Sequence, residues 1–267
     1  MSTVATKTAL EVLRCQPETT RAGQVLYALT KAAVSMGFDV STTLSYAGAS
    51  PWLLIWGPGA PERRDLIARH VAAGGRAIAL DLAYWNRTHK VRVSIDAAHP
   101  QAWVMQKTWP ATRLESDRPI IRRMWKADGP ILIAGIGVKA QTQYGPAIVA
   151  DWEASMRAQC EARWPGRRII QRPKPPTGLL PPVEGVLNGM SLVITWHSNI
   201  AVDAVRLGIP VVCRDGAAAA ICPAELPDEP LPVPVEVRDR FLANLAWFQW
   251  APQEAFAMWR FLQELIG

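Results

Sequence analysis

The stretch Ser191–Asp215, SLVITWHSNIAVDAVRLGIPVVCRD, decides the fold. Ser191–Trp196 is a short apolar run rich in β-branched residues and reads as a buried strand. His197, Ser198 and Asn199 interrupt it with three polar side chains, Ala201–Leu207 is helix-compatible, and Gly208 is a C-terminal stop. Pro210–Cys213 supplies the next strand. In open α/β sheets, ligands bind outside the carboxyl ends of the strands, where helix N-termini offer unpaired amides and a positive dipole to anions. The elbow His197–Asn199 is therefore predicted to hold a diphosphate.

The same alternation extends outward in both directions. Towards the N-terminus, Leu10–Arg14, Trp52–Trp56 and Arg76–Leu82 read as strands, and Gly23–Met36 and Pro61–Ala73 as helices. Strands separated by helices of this length predict a parallel sheet with helices on its faces. Lys90–Asp96 alternates polar and apolar residues, as a half-exposed edge strand does. The pattern breaks over Trp109–Asp128, and Gly129–Pro130 opens a second series. That series holds the strand Ile131–Ala134, the loop GIGVKAQTQYG, the helix Pro146–Cys160, the strand Arg168–Gln171 and the elbow unit. Val237–Ile266 reads as two helices broken at Pro252, with Trp247, Phe248, Trp250, Phe256, Trp259 and Phe261 as packing aromatics.

Composition sets the bounds. A chain of 267 residues accommodates one large domain or two of about 130. Division near residue 120 is expected: 1–120 as an N-terminal α/β unit, and 121–267 as a second whose terminal helices pack back on the first. Hydrophobic residues at 49% and charged residues at 19% indicate a protein that buries a core. No apolar run reaches the ~18 residues of a membrane span, and the polar start MSTVATKT lacks a signal-peptide pattern. An intracellular (cytoplasmic) protein without a membrane partner is expected. Cys15, Cys160, Cys213 and Cys222 are scattered, with no metal-ligand spacing. The net charge of +6 is uneven: residues 1–118 carry 14 Lys/Arg against 9 Asp/Glu, and residues 119–267 carry 15 against 14. Such a bias suits a polyanion such as DNA, and equally suits solubility.

The elbow HSNIAVDAVRLGIPVV resembles the pattern of GT-B glycosyltransferases, α/β proteins in which two Rossmann-like domains face a cleft. More diffuse stretches, RAGQVLYAL, IWGPGAPE, RAIALDLAYWNR, ILIAGIGVKAQTQYG, IIQRPKPP and FLANLAWFQWAPQEAF, resemble compact sugar transferases of tailed bacteriophages. The elbow carboxylate here is Asp203, where the family more often has Glu.

That resemblance implies a nucleotide-sugar donor, UDP-glucose by preference, bound by the C-terminal half. His197 would contact the phosphate or the sugar, and Ser198 and Asn199 would cap the helix while leaving amides free. Asp203, one turn on, would grip the ribose. Gly135 and Gly137 follow a strand, and Lys139 after them would neutralise the diphosphate. Arg172 and Lys174 would lie near the nucleotide.

Transfer to a hydroxyl needs a base while the anomeric carbon becomes cationic, and a carboxylate suits this role. Asp81, at the end of an apolar strand, is the first choice, and Asp96, ending the next, the second. Gly23 and Gln24 resemble the first helical turn of the acceptor domain. Tyr84 and Trp85, beside Arg87, suit stacking on an extruded base or, equally, a packed loop. His70 reads as a surface or interface residue. The preferred acceptor is a 5-hydroxymethylpyrimidine in phage DNA, with a polysaccharide or small molecule, or a non-catalytic nucleotide-binding protein, as alternatives. A divalent cation on the diphosphate is compatible with the sequence; no Asp-x-Asp motif demands one.

Overall fold

A computed structural model describes residues 8–14, 16–137, 141, 145–173 and 183–266. The chain forms two compact units, Met1–His99 with Trp247–Gly267, and Pro100–Ala246. The second therefore begins about twenty residues before the expected division at 120/121, and it ends before the last helix. This redistributes the charge. The first unit carries 12 Lys/Arg against 9 Asp/Glu, and the second 17 against 14, so the excess positive charge is divided equally between the two units.

The first unit contains β1 (Ala9–Leu13), α1 (Arg21–Ser35), β2 (Asp39–Thr43), β3 (Trp52–Trp56), α2 (Pro61–Ala72), β4 (Arg76–Leu82) and β5 (Val91–Ile95). Its sheet has the order β10-β5-β4-β3-β1-β2, where β10 is Gln249–Trp250 from the end of the chain. Strands β2, β1, β3 and β4 are parallel, and β5 is antiparallel to β4. Helix α1 forms because Ala22, Val25, Leu26, Leu29, Ala32 and Ala33 recur at helical spacing on a buried stripe. Thr20 Oγ1 caps it by accepting from the Gly23 amide at 3.1 Å, and Gly37 at φ 89° follows its end.

Strand β5 is not the expected edge strand. All five residues are buried, because β10 returns from the far end of the sequence and pairs with it, Gln249 opposite Arg92. The polar members that gave the alternation are satisfied internally: Arg92 pairs with Asp81, and the Ser94 hydroxyl donates to Ala97 O at 2.7 Å. Helix α8 (Ala255–Ile266) lies against α1, where Trp259 is fully buried and its indole N–H donates to Leu29 O at 2.9 Å. Phe38 and Trp52 complete that aromatic cluster.

The second unit has α3 (Thr112–Asp117), β6 (Ile131–Ala134), α4 (Pro146–Arg163), β7 (Ile169–Arg172), α5 (Val183–Leu187), β8 (Leu192–Thr195), α6 (Ile200–Arg206), β9 (Val211–Cys213) and α7 (Val235–Ala246). Its four strands are all parallel, in the order β7-β6-β8-β9. Ile131, Ile133, Leu192, Ile194 and Val212 pack against Val149, Trp152 and Cys160 of α4. That dry environment pushes the Cys160 thiol up to about 11, so Cys160 is an inert packing residue.

Candidate functional site

Numbered within its own unit, each parallel set follows the order 2-1-3-4, with the first strand inside. The order reverses beside that strand, and in open α/β sheets the ligand crevice lies at such a switch point, outside the carboxyl ends of the strands. In the second unit the switch lies between β6 and β8. The two loops singled out by sequence leave those two strands: Gly135–Gly137 after β6, and Trp196–Asn199 after β8. Arg172 ends β7 on one side, and Arg214 follows β9 on the other. Lys139 and Lys174 lie outside the described residues.

The Gly135 loop is held from beneath. Glu153 of α4 accepts from the Ile136 amide at 3.0 Å and from Gln171 Nε2 at 2.9 Å, while the Gly135 amide donates to Arg172 O at 2.9 Å. A Cβ on Gly135 would stand 3.1 Å from Arg172 O and 3.2 Å from Glu153 Oε1, so glycine lets this loop lie flat on its neighbours.

The elbow is a tight turn. Ser198 N donates to Thr195 Oγ1 at 3.2 Å, Ile200 N to Ser198 Oγ at 3.4 Å, Ala201 N to Ser198 O at 3.0 Å, and Val202 N and Asp203 N to Asn199 O. The first-turn amides are thus used within the turn, which corrects the expectation that the helix start leaves them free for phosphate. Helix α6 is also only seven residues long, which leaves little macrodipole to act. Half-buried His197, Ser198 and Asn199 remain at the crevice as side chains. Asp203 is engaged elsewhere, since its carboxylate accepts from Arg206 Nε at 3.1 Å with 16% of the side chain exposed. Buried Arg206 also bonds Glu184 and donates to Ile120 O at 2.8 Å. The Arg206 guanidinium beside Glu184 holds that carboxyl below its ordinary value. The expected ribose carboxylate is therefore part of an ion-pair cluster.

The loop after β9, which sequence reasoning passed over, completes the crevice wall. Asp215 N donates to Trp196 O at 2.6 Å, Asp215 Oδ1 accepts from Gly216 N at 2.7 Å and Gln101 Nε2 at 3.1 Å, and Arg214 stacks on Trp196 with 4.6 Å to the ring centroid. Gly216 sits at φ 96°, its Cα facing His197 O so closely that a Cβ would stand 3.2 Å away. The Arg-Asp-Gly following a buried strand was the available signal. Beneath it, burial pushes the Cys213 thiol up to about 12.

In the first unit the sequence candidates separate. Asp81 lies at the carboxyl edge of β4, where Arg92 NH2 donates to it at 2.9 Å and the Leu82 amide at 2.7 Å. Asp96 lies at the opposite edge. Because β5 runs antiparallel, its end meets the start of β4, where Asp96 accepts from Arg76 at 2.6 Å and from the Ala77 amide at 2.9 Å. The two carboxylates cannot share a site. Tyr84 and Trp85 are buried, not presented for stacking: both amides donate to Gln249 Oε1, and the Tyr84 hydroxyl shares a 3.0 Å hydrogen bond with His99 Nδ1. Only Arg87 of that trio is exposed. His70 is a core residue, 2% exposed, with Nδ1 2.9 Å from the Tyr46 hydroxyl.

Gly23 and the exposed Gln24 lie in the first turn of α1. Gly23 lines a pocket of about 190 Å³ with Arg14, Gln16, Glu18, Tyr27 and Thr42 at the carboxyl edge of β1 and β2. A Cβ there would stand 2.1 Å from Pro17 O, so only glycine lets α1 press against the loop that walls the pocket. Arg14 and Glu18 pair across it. Their signal in the sequence was a basic and an acidic residue bracketing the first strand-to-helix loop.

No family model matches the chain, and no curated protein does. Among solved structures, the KpsC β-Kdo 2,7 transferase of Thermosulfurimonas dismutans superposes with a TM-score of 0.54 at 12% identity, over 96% of this chain and 100% of that one. The KpsC β-Kdo 2,4 transferase of the same organism gives 0.53 at 11% identity, over 97% and 98%. This likeness shows the fold alone: α/β, with two Rossmann-like units, as in the GT-B fold. Among the described residues, no helix is long and apolar enough to cross a membrane.

Proposed function

We propose that this chain is a glycosyltransferase that moves a sugar from a nucleotide-sugar donor to a hydroxyl of an acceptor saccharide. The observation that carries the reading is the meeting of the Gly135–Gly137 and Trp196–Asn199 loops at the switch point of the second sheet. A flat glycine loop admits a diphosphate closely, His197, Ser198 and Asn199 supply polar groups, and Arg172 and Arg214 supply flanking cations. Because the amides of Ser198 and of the first helical turn are spent within the turn, the donor's charge falls mainly to side chains.

The acceptor lies at the Gly23 pocket of the first unit. Glu18 is the carboxylate that opens on it and serves as the base, its pair with Arg14 being solvent-exposed, in place of Asp81, which is held by buried Arg92. A saccharide acceptor is favoured over DNA for two reasons. The stacking pair Tyr84 and Trp85 is buried, and the positive charge is shared by both units. The two similar structures are named as transferases of the sugar Kdo, which makes nucleotide-activated Kdo the first donor to test beside UDP-glucose.

The test is a transfer assay with a panel of radiolabelled nucleotide sugars, with and without divalent cation. Its acceptors are an oligosaccharide library and DNA with or without 5-hydroxymethylpyrimidine. Label in a saccharide that is lost in Glu18→Gln and retained in Asp81→Asn supports the reading. Label only in the modified DNA restores the DNA acceptor, and no transfer from any donor removes the enzyme.

A further inference from the structure

Residues 118–126, RPIIRRMWK, carry four Lys/Arg and no acidic residue. They follow α3, whose last turn is closed by Arg118 in the left-handed region at φ 45°, and they have no helix or strand of their own. The backbone is nevertheless fixed to the second unit. Arg122 N donates to Arg206 O at 3.2 Å, Met124 N to Leu207 O at 2.9 Å, Lys126 N to Met190 O at 3.4 Å, and Ile120 O accepts from buried Arg206. This strap runs past the end of α6 to the start of β6, the edge of the second sheet opposite the donor crevice.

What the strap presents is unusual for a surface. Ile120 is 50% exposed and Ile121 37%, consecutive in the chain, and Arg118, Arg122, Arg123 and Lys126 of the same segment are exposed as well. Arg123 lies over the Trp125 ring, 5.2 Å from its centroid. Arg167 donates to Gly129 O just beyond and adds a further cation. Exposed aliphatic side chains among exposed cations match the layers of a bilayer surface, anionic headgroups outside and hydrocarbon beneath, while the Trp125 indole donates inward to Ser191 O at 3.1 Å and anchors the strap. A nucleic acid would satisfy the guanidiniums and leave both isoleucines in water.

We propose that the strap Arg118–Lys126 docks this protein on an anionic lipid surface. Cations draw it to the headgroups while Ile120 and Ile121 enter the acyl boundary, a peripheral contact that needs no membrane span. Within the second unit the strap lies at the edge where β6 starts and the donor loops at the edge where it ends, so docking engages none of the donor residues.

The experiment is co-flotation of the full chain with phosphatidylcholine vesicles that contain either no anionic lipid or about a third phosphatidylglycerol. Binding is expected to the anionic vesicles alone and to weaken as salt rises. Ile120→Ser with Ile121→Ser, which leaves the charge intact, is expected to lower vesicle partition about tenfold. Arg122→Glu with Arg123→Glu abolishes it. All four side chains are exposed, and circular dichroism confirms that the variants fold. A chain that ignores anionic vesicles overturns the proposal. So does a serine variant that floats as well as the wild type, or a wild type that prefers duplex DNA to the vesicles in direct competition, since each makes the strap a plain polyanion surface.

Discussion

The two sheets share one strand order, and they differ in what covers the last parallel strand. In the first unit β4 is followed by antiparallel β5 and then by β10, recruited from the end of the chain, so the sheet is extended to six strands and Arg92 of β5 is buried in a pair with Asp81. In the second unit β9 ends the sheet, and its following loop folds back on the elbow. One topology thus gives a reinforced platform in the first unit and, in the second, an edge loop that walls a crevice. Position at a strand's carboxyl end is therefore insufficient to name a functional residue. Asp81 and Arg214 both hold such a position, yet the first is bound by a buried arginine and the second is exposed, stacked on Trp196.

The largest effect expected from breaking this contrast is in the first unit. Trp259→Ala removes a fully buried indole shared with Phe38, Trp52 and Leu29 O, and should cost about 3–5 kcal/mol in urea unfolding. A cost below about 1 kcal/mol would mean that the tail only decorates the first sheet. In the second unit Arg206→Met leaves two carboxylates without their cation and should cost about 3 kcal/mol.

The milder Glu184→Gln carries a pH signature. The folded Glu184 carboxyl is lowered by the Arg206 hydrogen bond, so its contribution is complete above the ordinary value of 4.5 and fades as pH falls through the lowered one. The stability gap between wild type and variant should therefore be widest near neutrality and close in acid. A gap that widens on acidification would contradict the ion pair. Gly23→Ala, with its Cβ against Pro17 O, should cost about 2 kcal/mol in the same unfolding measurement and raise the acceptor KM in saturation kinetics. Gln24→Ala, one residue on and facing solvent, is the control that should leave stability unchanged. The smallest change belongs to the crevice. His197→Ala should leave the unfolding midpoint nearly unmoved and weaken binding of the donor that supports turnover about tenfold, about 1.4 kcal/mol by equilibrium dialysis.

Periodicity located most of the elements. Trp52–Trp56, Arg76–Leu82 and Ile131–Ala134 were legible because short apolar runs between turn residues admit few other readings. Strand β2, Asp39–Thr43, was not, because DVSTT is a mostly exposed edge strand with no apolar face to announce it. Nor was β10, whose two residues become a strand only by pairing with β5. The elbow and the Gly135 loop were found by their polar and glycine content after strands. Which of their groups are occupied was not, since the bond of Asp203 to Arg206 and the closure of Tyr84 and Trp85 by Gln249 join residues through the fold.

By itself, the sequence determined that this protein alternates strands and helices in two series and that polar elbows follow buried strands, because backbone propensity and hydrophobic period act over a few residues. Only the tertiary structure decided the direction of β5, the burial of the aromatic loop and the pairing of each carboxylate. Those outcomes depend on contacts between residues up to 165 positions apart, such as Tyr84 with Gln249, and no local pattern encodes which distant partner arrives.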